Sequence, residues 1–136
     1  MPKILLVEDN EMNRDMLSRR LERKEFDVVI AVDGQAGVNM ATSESPDLIL
    51  MDVQMPTMNG LEATAAIRSL EKQTGRHVPI VAMTAHAIKG DRERCLEAGM
   101  DEYVSKPIRS RQLFETLASV LSTVKRSTAG GKSTEQ

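Results

Sequence analysis

The chain has 136 residues, with 18 Lys+Arg against 20 Asp+Glu and a net charge of −2. That length suits one domain and excludes two full-sized ones. The balanced charge excludes an electrostatic grip on DNA or an anionic membrane, and three aromatic residues (Phe26, Tyr103, Phe114) are too few for a base-stacking platform.

A lone cysteine, Cys95, excludes an internal disulfide and a cysteine-rich zinc site, and His77 with His86 makes no ligand set. Only four apolar residues follow Met1-Pro2-Lys3 before Glu8 and Asp9, too few for a signal-peptide core, and no stretch approaches a membrane span. The expectation is a cytoplasmic protein with no membrane insertion and no nucleic-acid partner. A hydrophobic content of 40%, including nine methionines, is enough for an aliphatic and partly soft core.

The elements alternate along the chain. Ile4 to Val7 is a continuous apolar run, as in a strand buried on both faces. Residues 11–24 place Met12, Met16, Leu17 and Leu21 at helical spacing. Val28 to Val32 is a second strand, and residues 34–43 form a weak helix containing Gly34 and Gly37. Asp47 to Met51 is a third buried strand. A loop holding Pro56 follows, and Asn59 caps a helix from Gly60 to about Leu70. Residues 71–77 are polar and read as a loop. Val78 to Met83 is a fourth strand, with Pro79 near its start. Residues 87–98 are a marginal helix ended by Gly99. Glu102 to Ser105 is a short fifth strand. Ser110 caps a last helix with a stripe at Leu113, Leu117, Val120, Leu121 and Val124. Residues 125–136 are aperiodic and rich in Ser, Thr, Gly and Lys, which predicts a flexible tail. Five β-α units in a row predict a parallel sheet covered on both faces.

Such sheets bind ligands beyond the carboxyl ends of their strands. Glu8-Asp9 ends the first strand, Asp52 the third and Thr84 the fourth, and Lys106-Pro107 follows the fifth. Asp33 ends the second strand, which a sheet edge would leave outside the site. Singly these are ordinary turn or surface residues. Together they form a site, because three clustered carboxylates repel one another and need a cation. Oxygen ligands with room for water suit Mg²⁺ or Mn²⁺. A carboxylate beside such an ion, with a lysine and a hydroxyl, can attack phosphorus and form an aspartyl phosphate.

At these residues the chain resembles the receiver domain of two-component response regulators. The matching segments are Leu5-Leu6-Val7-Glu8-Asp9-Asn10, Met51 to Pro56 with Asn59-Gly60, Met83-Thr84-Ala85, and Tyr103 to Pro107. The resemblance covers residues 3–124, and its four motifs are specific in combination. It implies a flavodoxin-like (βα)5 fold with strand order 2-1-3-4-5. It implies Asp52 as phosphoacceptor, with Asp9, Glu8 (through water), Asp52 and the carbonyl of Gln54 around Mg²⁺. Thr84 and Lys106 would hold the phosphoryl group. Tyr103 would be the switch aromatic that responds to Thr84, and Lys106-Pro107 a cis bond. The family often has Asp-Asp where this chain has Glu8-Asp9. Gln54 and His86 are candidates for tuning phosphoryl lifetime by approaching an attacking water.

The implied partners are a sensor histidine kinase or histidine phosphotransfer protein upstream and a protein target downstream. The chain would act as a signalling domain that catalyses only its own phosphorylation and dephosphorylation. Twelve residues after Val124 leave no room for an output domain, which predicts a single-domain regulator. The alternative is a receiver excised from a hybrid sensor kinase. A Mg²⁺-dependent phosphatase is disfavoured, because Gln54 stands where an acid-base Asp would be required. A flavin-binding module is disfavoured by the scarcity of aromatics. Gly131-Lys132-Ser133 is not a P-loop, since Arg126 stands where the first glycine is needed. The basic run from Arg19 to Lys24 reads as a solvated helix face.

Overall fold

The computed structural model describes the backbone of residues 2–85 and 89–134, and side chains except those at 89–91 and 123–134. Among the described residues ten elements alternate strictly: β1 (Lys3–Val7), α1 (Glu11–Arg23), β2 (Asp27–Ala31), α2 (Gly34–Ser43), β3 (Leu48–Asp52), α3 (Gly60–Thr74), β4 (Ile80–Thr84), α4 (Lys89–Glu97), β5 (Glu102–Ser105) and α5 (Ser110–Thr134). The strands form one parallel sheet in the order β2-β1-β3-β4-β5.

Alternation along each strand divides the core in two. Leu5, Val7, Ile49, Met51, Ile80 and Ala82 face Val38 of α2, Ala63 and Ile67 of α3 and Cys95 of α4. Ile4, Leu6, Leu48, Leu50, Val81 and Met83 face Leu17 and Leu21 of α1 and Leu113 and Leu117 of α5. The central strands β3 and β4 are buried at every position, as their unbroken apolar runs require, while the edge strand β2 is mostly half-buried or exposed.

Several boundaries depart from the sequence reading. The helix α3 runs four residues past Leu70, through the stretch read as a polar loop. Glu71 stays helical because it pairs with Arg68 one turn back, and the chain leaves the helix at Gly75, whose φ of 73° is left-handed. Pro79 precedes β4 instead of lying inside it. Ser110 is the first residue of α5 and not its cap, since the Leu113 N–H already bonds the carbonyl of Arg109. The backbone of α5 continues to Thr134, where an aperiodic tail was expected from residue 125. Extending an existing helix costs far less than nucleating one, so a helix can outrun its apolar stripe.

Candidate functional site

The carboxyl ends of β1, β3, β4 and β5 meet at one edge, and each contributes a polar group there. Glu8 and Asp9 follow β1 and differ in burial. Glu8 is 1% exposed, whereas Asp9 is exposed to solvent. Asp52, the last residue of β3, is 2% exposed. One oxygen from each of the three carboxylates lies within 4.8 Å of the other two, the one such acidic group among the described residues.

Lys106 comes in from beyond β5, and its Nζ stands 2.9 Å from Asp52 Oδ1. Its backbone N–H donates to the carbonyl of Thr84 (2.8 Å), which ties the β5–α5 loop to the end of β4. The Lys106–Pro107 peptide bond is cis. The N–H of Gln54 also donates to Asp52 Oδ1, at 3.2 Å, while the Gln54 side chain is exposed. Thr84 is buried at 1% exposure beside Met83, which pairs in register with Asp52. Tyr103 is half-buried on β5, with the Arg92 guanidinium 5.9 Å from its ring centre. His86 lies outside the described residues. Asp33 sits at the edge strand and caps α2 through the Ala36 N–H (2.8 Å), apart from the cluster.

The loop from β3 to α3 is held tightly. The Gly60 N–H donates to Val53 O (2.9 Å), and Asn59 with Glu62 forms a reciprocal capping box. Within the loop Thr57 takes a φ of 66°, a costly conformation for a β-branched residue.

Burial and the neighbouring Asp52 carboxylate push Glu8 from 4.5 up to about 7, against the opposing pull of the Asn10 N–H and Lys106. Glu8 Oε1 is buried with no hydrogen-bond partner. Two ionised carboxylates have no hydrogen to share, so that oxygen is satisfied by a proton donated toward Asp52 or by a cation. An orphaned buried oxygen in a three-carboxylate group fits a hard divalent cation. A separate cavity of about 230 Å³ opens at the other edge of the sheet between α2 and α3, and its lining includes none of these residues.

Sequence reasoning did not single out Arg14, which grips the β1–α1 loop, or Arg68, which ties α3 to the start of β4 and the turn before β5. Nor did it give Gly60 a role beyond its place in a motif. Neither arginine leaves a periodic trace, since both act through contacts to carbonyls and carboxylates.

Fold and site define a doubly wound α/β domain with an acidic, lysine-bearing pocket at the carboxyl edge of its sheet. The chain belongs to the response regulator receiver domain family, whose model matches residues 4–118. It is 46% identical over 120 residues to hybrid signal transduction histidine kinase I of Dictyostelium discoideum, covering 85% of this chain but 7% of that protein. It is 38% identical over 122 residues to the polar-differentiation response regulator DivK of Brucella anthropi, covering 89% of this chain and 98% of that one. Among solved structures it resembles the receiver domain of the Pseudomonas aeruginosa sensor histidine kinase PA1611, which has a magnesium ion coordinated in its active-site cleft. That match has a TM-score of 0.80 and 40% identity over 89% of this chain and 98% of that one. It also resembles a co-crystal of the Saccharomyces cerevisiae phosphotransfer protein Ypd1 with the receiver domain of Ssk1, with a TM-score of 0.79 and 33% identity over 85% of each chain. No helix among the described residues is long and apolar enough to cross a membrane.

Proposed function

We propose that Asp52 accepts a phosphoryl group from a phosphohistidine of a sensor histidine kinase or histidine phosphotransfer protein, and that this switches contacts with a downstream protein. The observation that carries this is the Lys106 ammonium 2.9 Å from a buried Asp52 inside an acidic trio. In the transfer an Asp52 oxygen forms a bond to phosphorus as the phosphorus–nitrogen bond breaks, and the imidazole keeps that electron pair. The N–H of Gln54 and the ammonium of Lys106 both bond Oδ1, so they orient the carboxylate before the donor arrives. Lys106 then offsets charge on the transferred group, and the Thr84 hydroxyl at the end of β4 bonds one of its oxygens.

Glu8, Asp9, Asp52 and the Gln54 carbonyl would hold Mg²⁺, or Mn²⁺. When bound, the ion supplies neutralisation of phosphoryl oxygen charge. Tyr103, half-buried on β5, is the aromatic that answers a shift of Thr84. Gln54 and His86 set how long the phosphoryl group survives. Dephosphorylation at an unchanged rate after exchanging both residues overturns that last role.

The domain spans residues 3–124, works in the cytoplasm, and acts as a single-domain regulator that catalyses only its own phosphorylation and dephosphorylation. Similarity to DivK over nearly all of that protein supports this. A second reading, the receiver part of a hybrid kinase, is favoured by the higher identity to the Dictyostelium protein. The size of the native gene product separates the two. The central test incubates the chain with a small phosphodonor and Mg²⁺ and measures intact mass, with Asp52→Asn and chelator controls. One added phosphoryl group, lost in both controls, is expected. No addition, or equal labelling of Asp52→Asn, overturns the proposal.

A further inference from the structure

The half-buried side chain of Arg14 turns back from the first turn of α1. Its Nη1 donates to the carbonyl of Glu8 (3.2 Å) and to that of Asp9 (2.9 Å). These belong to the two acidic residues of the β1–α1 loop. The peptide planes holding those carbonyls set the directions in which the two side chains leave the backbone. Tying both carbonyls to one nitrogen therefore restrains the backbone from which the Glu8 and Asp9 side chains leave.

The rest of the loop is held by other means. The Glu8 N–H donates to Ala31 O (3.1 Å), and the Asn10 N–H donates to Glu8 Oε2 (3.1 Å). The Asn10 side chain caps α1 through the Asn13 N–H (2.9 Å), and Leu17 and Leu21 anchor the helix in the core. The helix thus has its own cap and its own apolar anchor, and Arg14 is not needed for either.

We infer that Arg14 is a positioning residue of the cation site. It supplies no ligand atom, yet it holds the Glu8 and Asp9 backbone so that their carboxylates converge with Asp52, and cation affinity depends on it. This rests on the reading that the acidic trio holds Mg²⁺. A guanidinium suits the task because its nitrogens carry hydrogens in fixed planar directions, whereas a lysine keeps the charge without that geometry.

The test is calorimetric titration of Mg²⁺ into the wild type, Arg14→Met, Arg14→Lys and Arg19→Met, with urea unfolding of each protein in chelator. Arg19 pairs with Asp15 on the exposed side of the same helix, so its replacement removes the same charge without touching the loop. Partners that orient metal ligands typically change affinity by about 10–100-fold. Arg14→Met should weaken Mg²⁺ binding on the order of tenfold. Arg14→Lys should be weakened less, and Arg19→Met should match the wild type. Metal-free urea midpoints should agree across the set.

Should Arg14→Met fail to fold, Arg14→Lys decides the matter. It should bind Mg²⁺ more weakly than the wild type and show faster amide exchange at residues 8–10. Wild-type affinity in Arg14→Met, or in Arg14→Lys where only that variant folds, overturns the inference alone, as does equal weakening by Arg19→Met. Absence of Mg²⁺ binding by the wild type overturns the underlying reading and the inference with it.

Discussion

Replacing Gly60 by alanine tests how the β3–α3 loop holds Asp52. A Cβ at Gly60 would overlap the carbonyl oxygen of Asp52 and stand 2.8 Å from Val53 Cα and 2.9 Å from the Asp52 carbonyl carbon. Carbon atoms in good contact sit about 3.5–4.0 Å apart, so the end of β3 or the start of α3 must move by about 1 Å. All three obstructing atoms are backbone, and β3 is buried at every position, so no side chain can swing aside. Overpacking a core costs about 1–3 kcal/mol, and this site belongs at the top of that range, about 3 kcal/mol. In a domain of this size that lowers the melting temperature by about 10 °C. With a urea slope of about 2 kcal/mol per M, it lowers the unfolding midpoint by about 1.5 M. Asp52 moves with its carbonyl, and a displacement of about 1 Å can slow a positioned reaction about 100-fold. The assays are urea unfolding and the rate of phosphodonor labelling by intact mass, read where both proteins are folded. A midpoint within about 0.3 M of wild type, with undiminished labelling, would show that the loop yields to a methyl group and would refute the reasoning.

Lys106→Met leaves the Asp52 carboxylate buried without its ammonium partner, which should cost about 3 kcal/mol in chelator. It should also slow labelling about 100-fold, and a rate equal to wild type would remove Lys106 from the phosphoryl-binding role. Arg68 bridges Glu71 (2.6 Å), Asp101 (2.8 Å) and the carbonyls of Gly99 and Val78, so Arg68→Met should cost about 3 kcal/mol by urea unfolding while labelling of the folded protein stays normal. Glu8 predicts a pH effect in chelator. Its carboxyl rises from 4.5 to about 7 on folding, so its contribution to stability is full below 4.5 and is lost as pH climbs to about 7. Glu8→Gln should flatten that slope in urea midpoints, and wild-type Mg²⁺ affinity should rise across the same interval as the carboxyl ionises; a slope unchanged in Glu8→Gln would assign it to another group.

The sheet was legible because β1, β3 and β4 are unbroken apolar runs, and among the described residues no other element buries four or five consecutive side chains. The site was legible for a related reason. Glu8-Asp9, Asp52 and Thr84 each stand where an apolar run stops and Lys106 follows the short fifth strand, so chain order alone carries them to one edge. The different fates of Glu8 and Asp9 were not legible. Which of two adjacent carboxylates is buried depends on how the chain leaves β1, and burial beside Asp52 pushes the Glu8 carboxyl up. The length of α3 was hidden because its last turn carries Glu71, Lys72 and Gln73, which look like loop residues until Arg68 is seen to claim Glu71. The close approach at Gly60 was hidden as well, since nothing in a linear motif shows that a helix start touches the backbone of the preceding strand.

The charges at the site account for each other. Lys106 can neutralise one of three carboxylates, and it bonds Asp52 Oδ1. Asp9 is exposed to solvent and costs little. The repulsion therefore falls on Glu8, which is buried, close to Asp52 and left with one oxygen lacking a donor. A proton relieves it, and the proposed divalent cation would relieve it further by serving Asp9 and Asp52 as well. On that proposal proton and cation compete for one position in the pocket. The burial that makes Glu8 costly as a bare carboxylate would turn the proposed cation binding from a surface association into a response to a specific unmet charge.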